Sequence, residues 1–172
     1  NIKFEKDYST RIEILTALLL SGLVFKEYIS NYNNEDNYTV LSVIITKLIN
    51  IKSIWYDNNK VIDQINNILD SLIKNSLEKI DYLPKDNEEY VISLKRNLIL
   101  STAIDLNIPK IINIFKLLWD GNIDNIHADL RELVYINISK NGTENDFNKL
   151  LNIYKNTNWS LEQNQILSSL GY

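Results

Sequence analysis

The side chains able to do chemistry are few, and their spacing is what limits them. There is one His, His127, and no Cys. A multi-histidine zinc site therefore has no second ligand of its kind, and thiolate ligands, disulfides and a thiol nucleophile are excluded. His127 precedes Ala128-Asp129-Leu130-Arg131 at the start of a helical pattern. A polar cap or surface role is favoured there over a ligand or general base. Glu88 and Glu89 form the nearest thing to a carboxylate pair. They follow Asn87 at a helix start, where a cap and then carboxylates suit the positive helix end better than acid–base catalysis. No His-Glu-x-x-His, Gly-rich phosphate loop or Gly-x-Ser-x-Gly elbow occurs. Catalysis by this chain alone is not expected, and no residue is put forward as catalytic, cofactor-binding or metal-ligating.

Three other residue types could serve binding: Trp, Tyr and Arg. Trp55, Trp119 and Trp159 all fall near expected helix ends, where packing is favoured over an aromatic binding face. The ten Tyr, among them Tyr28, Tyr32, Tyr38, Tyr56, Tyr90, Tyr135 and Tyr154, can line a peptide groove, but half-buried rings with wet hydroxyls are the favoured reading. Arg11, Arg96 and Arg131 are the only Arg. Arg96, between Leu94 and Leu98, is expected to tie helix ends through fork-like hydrogen bonds rather than to bind a peptide carboxylate.

The elements that must hold these residues are helical. In the segment 60–80, Ile62, Ile65, Leu69, Leu72 and Ile80 share a face opposite Asp63, Asn66, Asp70 and Lys74. Phe147, Leu150, Leu151 and Tyr154 repeat that spacing, as do Ile111, Ile114, Phe115 and Leu118. Between 87 and 107 there are two apolar rows, Val91/Leu94/Leu98 and Ile92/Ile99/Ala103/Leu106, so this helix is expected in the middle of a stack. Capping boxes are expected at Ser160/Gln163 and Thr143/Asp146, with Pro109 in a first turn and Pro84 as a break. Gly121, Gly142 and Gly171 are read as left-handed helix ends. The result is about nine helices, at about 10–21, 23–33, 37–51, 59–81, 87–107, 109–119, 127–140, 143–156 and 160–170. Paired, they recur every forty residues or so, which predicts an all-α, irregular α-solenoid of antiparallel helix pairs, HEAT- or armadillo-like, with a compact bundle as the alternative.

Length and composition bound the rest. At 172 residues, 45% apolar and 23% charged, the chain is expected to be a single ordered domain, 1–172. A net charge of −4 without a basic block speaks against nucleic acid. The longest apolar stretch, Ile14 to Phe25, is too short for a membrane span. The absence of Cys favours an intracellular, cytoplasmic setting. The 27 Ile and 25 Asn are attributed to AT-rich codons. The four sequons at Asn37, Asn137, Asn141 and Asn158 are read as chance.

An ordered series of short motifs carries one resemblance. Glu35-Asp36-Asn37-Tyr38-Thr39-Val40-Leu41 resembles the Glu-x-Asp-Tyr-x-Val-Trp helix opening in the C-terminal domain of gluzincin zinc aminopeptidases, the aminopeptidase N and endoplasmic reticulum aminopeptidase type. Arg96-Asn97-Leu98-Ile99-Leu100 with Ala103 is similar to its Arg-x-x-Leu-x-x-x-Ala helix. Ile126-His127-Ala128-Asp129-Leu130-Arg131 with Val134-Tyr135 is similar to its Ile-x-Pro-Asp-Leu-Arg-x-x-Val-Tyr segment. Tyr154-Lys155-Asn156-Thr157, Glu162 and Leu170-Gly171 follow its closing elements. Leu41 stands where the family has Trp, Asn37 for Asp, Ala128 for Pro, and Gln163 for Lys.

The resemblance implies a non-catalytic C-terminal domain that covers the active-site cavity of a zinc aminopeptidase and shapes peptide access. The family's zinc ligands and exopeptidase loop lie in a preceding domain, and no position here matches them. The implied partners are peptides, met through the full-length enzyme, and the chain's own catalytic domain. Tyr172 resembles a truncation point, and a dimer of the fragment through an exposed solenoid end is allowed for. The alternatives are a free-standing α-solenoid scaffold for protein partners and, more weakly, a bundle with an apolar ligand pocket.

Overall fold

The structure, a computed structural model, describes residues 29–171. Among them it is all-helical: α1 (Tyr38–Ile54), α2 (Asn59–Lys79), α3 (Tyr90–Asp105), α4 (Pro109–Leu118), a short 3-10 turn (Ile123–Asn125), α5 (Ala128–Asn141), α6 (Glu144–Asn156) and α7 (Ser160–Ser169). The seven helices begin and end within three residues of expectation. The predicted helix 10–21 lies outside the described residues, as does most of 23–33, of which residues 29 and 30 are helical. The chain divides into two compact units at Ile80/Asp81.

In the first unit, α1 packs on α2. Asn37 caps α1, its Oδ1 accepting from the Val40 amide at 3.2 Å, while the Glu35 carboxylate accepts from the amides of Asp36 and Asn37. The Glu35-Asp36-Asn37 opening thus satisfies donors that a helix start leaves orphaned. Val40, Leu41, Ile44, Ile45 and Leu48 form the buried stripe of α1. Leu41, in the family's Trp position, is fully buried. Asn58 caps α2, which buries Ile65, Leu69, Leu72, Ile73 and Ser76. Asn75 Nδ2 donates to the Asn33 carbonyl and to Asn34 Oδ1, fastening the turn at 31–34 to α2.

In the second unit, α5 is the central helix and touches α3, α4, α6 and α7. Leu130 and every residue from Leu133 to Ile138 are buried. Contacts run between sequential helices and between helices two apart, α3 with α5 and α5 with α7, the two-layer neighbour pattern of stacked helix pairs. The helix expected in the middle is α3, but both of its apolar rows begin in solvent: Val91 and Ile92 are exposed, and burial starts at Arg96. Apolar rows show which faces could be covered. Which faces are covered is decided by partners from other parts of the chain, and α5 has four.

Some expected helix ends are also corrected. Asn87 does not cap α3. It sits at φ 58°, and Glu89 is the N-cap residue without a side-chain bond. The Ser160/Gln163 box does not form, because Trp159 is the cap residue and Gln163 Nε2 instead donates to the Thr157 carbonyl at 2.9 Å. Of the glycines, Gly121 alone among the described residues has positive φ, while Gly142 ends α5 in an extended conformation. The left-handed helix end belongs to Asn107, at φ 56°. Its amide bonds the Ile104 carbonyl and the next amide, of Ile108, bonds that of Ala103, a Schellman motif with Asn in place of Gly. Pro109 then opens α4, whose axis is bent by 110° from α3. The Thr143/Asp146 box forms as expected.

No single described helix is long and apolar enough to cross a membrane; α3 and α4 pass that test only jointly, across their bend.

Removing methylenes from the α5 core leaves a cavity, so Leu130→Ala should cost about 2–5 kcal/mol in urea unfolding. Leu117→Ala, at a position 87% exposed, should stay within about 0.5 kcal/mol.

Candidate functional site

The polar residues of the motif series meet inside the second unit. Glu162, fully buried on α7, accepts from Arg131 Nη1 at 2.9 Å and from the Tyr135 hydroxyl, both on α5. Arg131 Nε also donates to the Ile126 carbonyl at 3.2 Å, holding the segment that enters α5. Burial, and then the hydrogen bond to the Glu162 carboxylate, push the Tyr135 phenol far above its ordinary range, so it remains a protonated donor. Nearby, Asn137 Nδ2 donates to the Ile112 carbonyl at 3.3 Å, and Lys140 Nζ is paired with Asp105 at 3.0 Å. The α5 polar groups are thus spent on its neighbours.

A second cluster pins the connection that opens this unit. Arg96, almost wholly buried, donates Nε to the Asp81 carbonyl at 2.7 Å and both terminal nitrogens to the Glu88 carboxylate. The fork-like structural role expected of Arg96 is borne out, and its donors are turned inward to Glu88 and Asp81. The Glu88 carboxylate is engaged by Arg96, whose hydrogen bonds hold its carboxyl below the usual range, against the opposing effect of burial. Lys110 Nζ lies 5.1 Å from the Tyr82 ring centroid over the same connection.

The remaining candidates are placed at helix ends. His127 is the N-cap residue of α5, its Nδ1 accepting from the Asp129 amide at 3.3 Å, as expected. Trp55 and Trp119 are C-cap residues of α1 and α4, and Trp159 is the N-cap residue of α7. Trp119 is buried and donates to Asp146 Oδ1 at 3.0 Å, whereas Trp55 and Trp159 are exposed. The Tyr do not share one face: Tyr32 and Tyr135 are buried, Tyr56 and Tyr90 are in solvent, and Tyr28 lies outside the described residues. Among the described residues no group of three or more His, Cys, Asp or Glu is placed to hold a metal.

One concavity was not anticipated. A groove of about 510 Å³ in the first unit is lined by Ile29, Ser30, Asn33, Gln64, Asn67, Ile68 and Ser71. Its α2 members stand at positions 64, 67, 68 and 71, a single helix face beside the core face of Ile65, Leu69 and Leu72. Amides this common carry little signal in sequence.

Set against known proteins, residues 19–172 match the family described as the ERAP1-like C-terminal domain. The chain belongs to this family. ERAP1-like C-terminal domains are therefore the setting for its fold and motifs. It is 27% identical over 164 residues to the alanine/arginine aminopeptidase of Saccharomyces cerevisiae, covering 90% of this chain and 19% of that protein. It is also 27% identical to aminopeptidase M1-B of Oryza sativa subsp. japonica, covering 96% and 20%, and 25% identical to aminopeptidase M1 of Arabidopsis thaliana, covering 82% and 17%. The chain spans about a fifth of the length of these curated relatives.

Two predictions follow from the clusters. Glu162→Ala leaves a buried guanidinium and phenol without their acceptor and should cost about 3–5 kcal/mol in chemical denaturation. The lowered Glu88 pKa means its contribution is full above the unfolded value of 4.5 and is lost as pH falls through the folded value. The stability gap between the unsubstituted chain and Glu88→Gln, followed by thermal unfolding, should be open at pH 7 and close on acidification. A gap independent of pH would contradict the ion pair.

Proposed function

We propose that this chain is the non-catalytic C-terminal domain of a zinc metallo-aminopeptidase, part of a larger helical domain, which covers the active-site cavity and shapes the access of peptide substrates. The observation that carries this reading is the family match over residues 19–172, joined to relatives named aminopeptidases in which the matched region is about a fifth of the chain. The internal chemistry supports it. His127, Arg96, Arg131, Glu88 and Glu162 are all engaged in capping or in ion pairs that tie segments of the fold together. Zinc, and the activated water it supplies, belong to the catalytic domain of the parent enzyme. This chain's part is enclosure. A wall of packed helices limits which peptides reach the metal and excludes bulk water from it.

The purified 172-residue chain, supplied with zinc, should not turn over aminoacyl-nitroanilide substrates. The parent enzyme should cleave a series of peptides with a marked dependence on length, and deleting this domain should flatten that dependence. Sustained turnover by the chain alone would refute the non-catalytic assignment. An unchanged length profile after deletion would refute the role in access. The open reading frame upstream of Asn1 separates this reading from a free-standing scaffold: a His-Glu-x-x-His segment within a few hundred residues supports the peptidase, and a nearby start codon supports the scaffold.

A further inference from the structure

The last turn of α5 holds a pair of residues open to a reaction that needs only water. Of the 25 Asn in the sequence, Asn141 is the one followed by Gly. Asn is thermally labile because its side-chain carbonyl carbon lies one ring closure away from the next backbone nitrogen. After every other Asn the following residue carries a side chain that obstructs this closure. Gly142 carries none, and it is exposed.

The fold itself demands the glycine. A Cβ added at Gly142 would lie 2.5 Å from the Ile138 carbonyl oxygen, so another residue fits there only if the backbone shifts. Two constraints restrain the reaction while the turn is formed. Asn141 is the last helical residue of α5, and a helical ψ turns the Gly142 nitrogen away from the Asn141 Cγ. The Gly142 amide also donates to the Ile138 carbonyl at 2.9 Å. Both constraints belong to a terminal turn, the part of a helix that opens first.

The side chain that would be lost braces two helices. Asn141 Nδ2 donates to Asn137 Oδ1 at 3.2 Å, and the fully buried Asn137 donates its own Nδ2 to the Ile112 carbonyl of α4 at 3.3 Å. A carboxylate at position 141 sets two acceptors face to face and adds negative charge at the negative end of α5. The Asp146 side chain sharpens the repulsion, since its Cβ lies 3.3 Å from where a Gly142 Cβ would stand.

We propose that Asn141-Gly142 is a site of spontaneous deamidation, gated by opening of the last turn of α5, and that its product releases the brace between α5 and α4. The Gly142 nitrogen gives up its proton to solvent and attacks Asn141 Cγ. A C–N bond forms, the Cγ–Nδ2 bond breaks and ammonia departs. Water then opens the cyclic imide at either carbonyl, leaving aspartate or isoaspartate. The net change is side-chain amide plus water to carboxylate plus ammonium, with no oxidant or reductant.

The test incubates the 172-residue chain at mildly alkaline pH for weeks and follows each Asn by peptide mapping, with a free peptide of residues 138–145 alongside. Conversion at Asn141 should run several-fold ahead of every other Asn, with isoaspartate the larger product. It should be slower than in the free peptide and faster in urea below the unfolding transition. Asn141→Gln keeps the amide but requires a larger ring, and should abolish the conversion. Asn141→Asp carries the product's charge and should lower the urea midpoint of the chain. An intact Asn141 over a period in which the free peptide converts fully would overturn the site, and a rate indifferent to urea would overturn the gate. An Asn141→Asp chain as stable as the unsubstituted one would overturn the brace.

Discussion

From Leu133 to Ile138 α5 is buried all round and has no water to turn to, and this stretch sets the constraint on the second unit. Its polar groups must find protein partners, and these come from three of the helices it touches. Glu162 of α7 takes the Arg131 guanidinium and the Tyr135 hydroxyl, Ile112 of α4 takes the Asn137 amide, and Asp105 of α3 takes Lys140. A charge buried this deeply is tolerable only with both of its oxygens occupied. The register of α7 against α5 is therefore set by polar geometry as well as by apolar burial.

The same constraint engages the chemically able residues within the fold. A guanidinium with its donors directed at a carboxylate and a carbonyl is a tie between segments. An imidazole accepting a backbone amide at a helix start is a cap. Arg96, Arg131 and His127 meet these descriptions. Several of the short motifs that carry the family resemblance supply polar joints of the fold, with Arg96, Arg131, Tyr135 and Glu162 among them.

Much of the architecture was legible in the sequence because helical periodicity and local end signals are short-range. Pro109, the Thr143/Asp146 box and the cap at His127 involve atoms only a few residues apart. What was not legible is long-range. Nothing local marks Glu162 as a buried partner for residues about thirty positions earlier, or distinguishes α5 from α3 as the central helix. Asn107 was missed because the expected Gly is absent and Asn, tolerated in the left-handed region, is abundant here. The groove was invisible for a related reason, since Asn and Gln on the second face of α2 read as a solvated surface until residues 29–33 are brought against it.

The measurement that most directly tests the central claim is a structure of the parent enzyme with this domain in place and an inhibitor at the zinc. The account predicts that helices of this chain border a walled cavity above the metal, with every zinc ligand contributed by another domain. A zinc site open to bulk solvent with this domain standing apart from it, or a ligand supplied by this chain, would contradict the account.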